Sequence, residues 1–274
     1  MRRVTLIVAR FLIIAIAISV IGICPLKAAA DEIKITGSTT FAPLVAALGE
    51  SFMKQTPTVK VTFTNASASD SVNGLISGDA DIGCSARYIQ VSESEKANVK
   101  KMKLVCHAVS LDCVLLIVNP SNNVKSLGLT QVADIFEGKI TNWKDFDKGI
   151  DSKIKVITRE TGSAMYEFFD EKVLHGEPNA PGTTVLRSNR DIVEMVSQDP
   201  AAIGYTSYSY VTPKVKVVPL IGLETMTVPT EHHPLSRKLL MCTTNKPSKA
   251  ANQFVDFINS PDGKSVMQKA GYLP

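Results

Sequence analysis

Strand-like and helix-like segments alternate along nearly the whole chain after residue 30, and this alternation is what most constrains the fold. Ile33 and Ile35 flank Lys34 as in a half-buried strand. Further strand-like runs cover 59–63, 80–85, 103–109, 113–120, 153–159, 202–207 and 235–244. Helical patterns fall between them, at 71–76, 93–102, 129–138, 164–174, 191–198 and 249–260. No repeat or low-complexity segment interrupts the series. Such alternation predicts an α/β architecture with mainly parallel sheets.

The first 30 residues are of another kind. Arg2, Arg3 and Arg10 precede the apolar run 11–23, and small residues follow at Ala28 and Ala30, the layout of a secretory signal cleaved after Ala30. The run is short for a membrane span of about 20 residues. Cys24 raises the question of lipidation, but Ile23 stands where a small residue is wanted. The segment holds four of the chain's 30 basic residues and none of its 26 acidic ones, so the mature chain balances 26 against 26. That balance gives no support for nucleic-acid binding. Charge recognition has to be local.

Removing the signal leaves 244 of 274 residues, enough for one large domain or two lobes. Cys84, Cys106, Cys113 and Cys242 remain, with spacings of neither a zinc site nor a redox CxxC pair. A disulfide is permitted outside the cytoplasm, and buried thiols fit the apolar runs equally well. His107, His175, His232 and His233 show no ligand spacing and read as structural or exposed. No metal or cofactor is expected.

Three times a strand runs into a hydroxyl-rich corner and then a helix: "KITGSTTFAP", "TFTNASASDS" and "ITRETGSAMYEFF". Gly37 reads as permitting a tight turn, and Pro43 suits a first helical turn. Each corner is either ordinary capping or a site where backbone N–H groups and hydroxyls meet an anion. Arg87 and Arg159 each stand at a strand end, where a guanidinium fork matches a tetrahedral oxyanion.

These residues resemble a known family, the periplasmic phosphate-binding proteins of ABC-type phosphate transporters. The resemblance rests on "GSTTFAPL", "SASDSVNGLISGDADIGCSAR", "DIFEGKITNWKDF", "RETGSAMYEFF", "AAIGYTS", "HPLSRKLL" and "SPDGKSVMQKAGYLP", in order across residues 33–274. It implies a two-lobed periplasmic-binding-protein (type II) fold, each lobe a mainly parallel sheet flanked by helices, with a hinge between them. Lobe I is expected at 31–110 plus 235–274 and lobe II at 111–234. The phosphate contacts carried over are Thr39, Thr40, Arg87, Arg159 and Ser163, with Ser67 and Ser69 around the second corner. The implied partners are phosphate or a similar oxyanion and a membrane permease, with the protein a periplasmic monomer.

Several positions depart from the family pattern. Ala68 and Ala86 stand where relatives carry a serine, Ala164 where they carry glycine, and Met165 where they carry a hydroxyl. No aspartate fills the place of Ala86 to accept the phosphate's own proton, unless Asp70 turns inward. Two other readings compete. One is an anion sensor or surface binding protein with an altered ligand on the same fold. The other is a serine hydrolase on Ser163, or on Ser51 and Lys54 as S-x-x-K, and no accompanying motif supports it.

Overall fold

A computed structural model of the chain describes residues 31–146, 150–224 and 230–274. The export signal and Cys24 lie outside these residues. The first half opens with β1 (Asp31–Gly37), α1 (Ala42–Gln55), β2 (Val59–Asn65), α2 (Ala68–Ser77), β3 (Ile82–Ser85) and α3 (Val91–Val99). The long strand β4 (Leu104–Val118) then leads to α4 (Leu129–Phe136), β5 (Lys155–Arg159) and α5 (Ala164–Phe169). After these come β6 (Thr184–Leu186), α6 (Asn189–Gln198), β7 (Ala202–Ser207) and β8 (Lys216–Val218). The chain ends with β9 (Ser236–Thr244), α7 (Lys249–Asn259) and α8 (Pro261–Lys269).

Local sequence accounts for most of these elements. Ile33 and Ile35 are buried and Lys34 is exposed, so β1 alternates as read. Pro43 lies in the first turn of α1, whose Leu44, Val45, Leu48 and Phe52 form one buried stripe. Gly78 closes α2 at φ 88°, in the left-handed region that glycine adopts without strain. Gly37 has a different role from the expected turn. It ends β1 opposite Cys84, and a Cβ there would come within 2.5 Å of the Cys84 Cβ. Close strand approach, not chain reversal, requires the glycine.

The strands follow the order β2-β1-β3-β9-β4-β7-β5-β6, with β8 on β4. Among the described residues four pairings are parallel and four antiparallel. The parallel ones, β1 with β2 and β3 and β5 with β6 and β7, are those that the strand–helix alternation predicts. The antiparallel ones all involve β4 or β9, the strands that pass between the halves. β4 pairs with β9 from Leu104↔Thr244 to Cys113↔Ser236, then with β7 from Val114↔Ser207 to Val118↔Ile203. The runs 103–109 and 113–120 are therefore one strand, bulged between Ala108 and Ser110.

Two large cores result. One packs α1, α7 and α8 on the first sheet half, with Ile33, Leu44, Phe52, Leu239 and Phe254. The other gathers Leu116, Phe136, Trp143, Phe169 and Tyr205. There the indole N–H of Trp143 donates to the Ala201 carbonyl at 2.9 Å, and Phe169 stacks on Tyr205 at 4.1 Å. The indole is buried without loss of its hydrogen bond.

Cys106 and Cys242 form a disulfide between β4 and β9, resolving the alternative left open by the sequence. Cys84 and Cys113 are free and buried. The Cys113 thiol lies 3.0 Å from His233 Nδ1, which also accepts the Leu235 amide at 3.1 Å, so the thiol is the donor. Burial pushes this thiol up to about 12 and lowers His233, so the pair stays neutral. Because the disulfide closes a loop across 136 residues, its reduction should destabilise the fold by about 2–4 kcal/mol. Urea unfolding with and without reductant measures this. Coincident midpoints would show that the crossing strands hold without the bridge.

Candidate anion-binding site

The three hydroxyl corners are not equivalent. At the second, Ser67 Oγ accepts the Asp70 amide at 3.0 Å and caps α2. At the third, Ser163 Oγ accepts the Met165 amide at 3.2 Å and caps α5. Both are ordinary N-caps. At the first corner a 3-10 turn over Thr39–Phe41 leads into α1, and neither element has a side-chain cap. Ser38 is only 8% exposed, yet its Oγ has no hydrogen-bond partner among the described residues.

Thr39 and Thr40 are held by their backbones. Tyr210 donates its hydroxyl to the Thr39 carbonyl at 2.6 Å, and Tyr272 does the same to Thr40 at 2.7 Å. Burial raises both phenols, which keeps them protonated as donors. The threonine hydroxyls receive only long contacts, at 3.4 Å, from Asn189 Nδ2, and Thr40 receives another at 3.4 Å from Arg237. Hydrogen bonds of this length are weak. The corner is fastened through its main chain and loosely satisfied in its hydroxyls.

The two arginines named by the sequence differ. Arg159 ends β5 and is buried. Its Nε donates to Glu160 at 3.2 Å and to the Leu186 carbonyl at 3.2 Å. Its Nη2 donates to Glu160 at 3.0 Å and to the Arg187 carbonyl at 2.8 Å. Among the described residues Nη1 has no partner. Arg87 has none of that freedom. Glu93 takes Nη1 and Nη2 at 3.0 and 2.8 Å, Tyr88 carbonyl takes Nη1 at 3.0 Å, Ser69 takes Nη2 at 2.9 Å and Glu167 takes Nε at 3.3 Å. The Glu93 bond raises Arg87. Burial works to raise Glu93, but the Arg87 bond and the Gln90 amide overcome it and leave the carboxyl below its usual range.

The residues that sequence reasoning missed lie where the halves meet. Arg237 on β9 is the register partner of Asp112 on β4. The pair is 3% and 2% exposed, with Nε and Nη2 at 3.0 and 2.9 Å from Asp112 Oδ2. The same guanidinium donates to the Ala164 carbonyl at 3.1 Å as well as touching Thr40, so it ties the first and third corners together. Asn189, fully buried at the start of α6, joins Thr39 and Thr40 to Thr206 of β7. Ser188 and Asp191 mark that helix start in the sequence, but nothing local shows that Asn189 faces a corner 150 residues away.

The departing positions are all apolar and buried. Ala68, Ala86 and Ala164 belong to the first core and Met165 to the second, so the start of α5 packs into both. Asp70 does not turn inward: it is exposed and accepts from Ser67 Oγ at 2.7 Å.

Residues 25–262 match the PBP superfamily domain. The phosphate-binding protein PstS of Bacillus subtilis is 30% identical over 250 residues, spanning 90% of this chain and 81% of that protein. A phosphate ABC transporter substrate-binding protein from Clostridium perfringens, solved with bound phosphate, is 29% identical. It superposes with a TM-score of 0.81 over 89% of this chain and 99% of its own. An ABC-type phosphate transport receptor from Vibrio cholerae is 28% identical, with a TM-score of 0.70 over 88% and 99%.

Breaking a buried ion pair by removing one partner strands the other charge. Asp112→Ala should therefore lower the unfolding free energy by about 3–5 kcal/mol, read from denaturant midpoints. A loss below about 1 kcal/mol would mean that Arg237 reaches another acceptor.

Proposed function

The chain belongs to the PBP superfamily, among the PstS-like phosphate-binding proteins, and on that basis we propose that it captures inorganic phosphate between its lobes and delivers it to an ABC transporter permease. The observation that carries this reading is the first corner, where Ser38 Oγ is buried without a partner beside two hydroxyls held only by long contacts. Thr39 and Thr40 receive the anion from lobe I, at 31–110 plus 235–274. Arg159, through Nη1, which has no partner among the described residues, and Ser163 meet it from lobe II, at 111–234. Ser67 and Ser69 support the second corner, one as a cap and the other as an acceptor for Arg87. Lobe closure around the ligand gives the permease a shape to recognise.

The capture is non-catalytic. Ser163 Oγ is engaged as a cap, and the buried Cys113–His233 pair holds a protonated thiol rather than a nucleophile. The protein acts as a periplasmic monomer after cleavage at Ala30, without cofactor or nucleic acid. Among the described residues no helix is long and apolar enough to cross a membrane.

Phosphate should raise the melting temperature of ligand-free protein, because a ligand that binds only the native state stabilises it. Neutral sugars and amino acids should not. Since a charged hydrogen bond contributes about 1.5–3 kcal/mol, Arg159→Ala should weaken binding about 10- to 150-fold by titration calorimetry. An unchanged melting curve at millimolar phosphate counts against the reading, and wild-type affinity in Arg159→Ala removes that residue from the site.

Selectivity follows from where the carboxylates are. Phosphate carries a proton at neutral pH and sulfate does not, so a free buried carboxylate would reject sulfate. Here Asp70 is exposed, and Glu93, Glu160, Glu167 and Asp112 are each paired with an arginine. Sulfate should therefore displace phosphate. Failure to do so at about 1,000-fold excess would mean that one of these carboxylates accepts the ligand's proton, since that ratio corresponds to about 4 kcal/mol of discrimination.

A further inference from the structure

A guanidinium has five N–H groups, and in Arg87 all five are taken. Four of the bonds go to its own side of the cleft, to Ser69, the Tyr88 carbonyl and both oxygens of Glu93. They fix the group as part of lobe I. The fifth, from Nε, is the one that crosses, reaching Glu167 Oε2 on α5 at 3.3 Å. Glu167 is 39% exposed, and Arg87 and its neighbour Ala86 line a cavity of about 570 Å³ with Phe168 and Arg237. The contact therefore sits at the solvent-facing edge of the junction between the lobes.

We propose that Arg87 and Glu167 form an interlobe latch, with Glu167 as a positioning residue that biases the cleft toward its closed form, and that Arg87 does not itself contact the anion. The proposal rests on the reading that the protein closes on phosphate. An anion that used Arg87 would have to displace one of its five acceptors and approach two carboxylates, Glu93 and Glu167, that carry more charge than the arginine cancels. A latch needs no displacement. A partly exposed ion pair shifts an equilibrium only about two- to fivefold, enough to favour closure and weak enough to release.

The two roles of Arg87 predict opposite signs for Glu167→Gln. If Arg87 were an anion ligand, removing a competing carboxylate would tighten phosphate binding. If it is half of a latch, the substitution opens the ligand-free cleft and weakens binding. Titration calorimetry with phosphate and small-angle scattering should be run on wild type, Glu167→Gln and Glu167→Asp, the last keeping the charge but shortening its reach. We expect both variants to bind about two- to fivefold more weakly. We also expect a larger ligand-free radius of gyration for both, equal to wild type once saturated. Unchanged or tighter binding by Glu167→Gln, or no change in its ligand-free radius, overturns the latch. If wild type itself fails to bind phosphate, the proposed function falls, while the ligand-free radii still decide the latch.

Discussion

The Asp112–Arg237 pair is the constraint from which the junction between the lobes is built. β4 has to run without a break from one core into the other, and Asp112 lies at the middle of that passage with almost no exposure. A lone carboxylate there would carry a large desolvation cost. Arg237, its register partner on β9, neutralises it, and the Ser207 hydroxyl at 2.6 Å and Tyr208 amide at 3.3 Å satisfy its other oxygen. The arginine then has donors left over for the Ala164 carbonyl and Thr40. The arginine that neutralises this buried charge thus also ties two of the three corners together.

The same economy governs the rest of the cleft. Arg87, Arg159 and Arg237 each have a carboxylate partner, so none is a bare cation waiting for an anion. What remains on offer is mostly neutral: hydroxyls at the first corner, the Asn189 amide and one end of Arg159. Oriented dipoles that do not have to reorganise hold an oxyanion well in a site shielded from water. They also explain why the corner's main chain is fastened by Tyr210 and Tyr272 while its hydroxyls are left loosely held.

Much of the fold was legible because local signals and global structure agree. The alternation of Ile33, Lys34 and Ile35 and the Pro43 start of α1 each predicted what formed. The reading failed where a distant residue decides the outcome. Ser110 and Asp112 looked like a gap between two strands, since nothing within reach of a sequence window reveals that Arg237, 125 residues on, cancels the charge. Arg87 and Arg159 looked alike because both end strands. Glu93 follows Arg87 by six residues in a helical run, which is consistent with a fork but does not identify one. Capping serines were visible at all three corners, yet only the structure separates the two that cap from the one that does not.

The path of β4 and β9 has a consequence for how the polypeptide is made. The first core is begun by β1 but completed by β9, α7 and α8, whose Leu239, Phe254 and Met267 follow the inserted half in sequence. The second core lies wholly between these contributions in sequence. A growing chain can therefore assemble the inserted half while the enclosing half still lacks a central strand and two covering helices. Contacts between such distant segments form slowly, because the intervening chain must first be closed into a loop. Until β9, α7 and α8 are available, the amino-terminal strands lack the pairing and the cover that the finished core gives them.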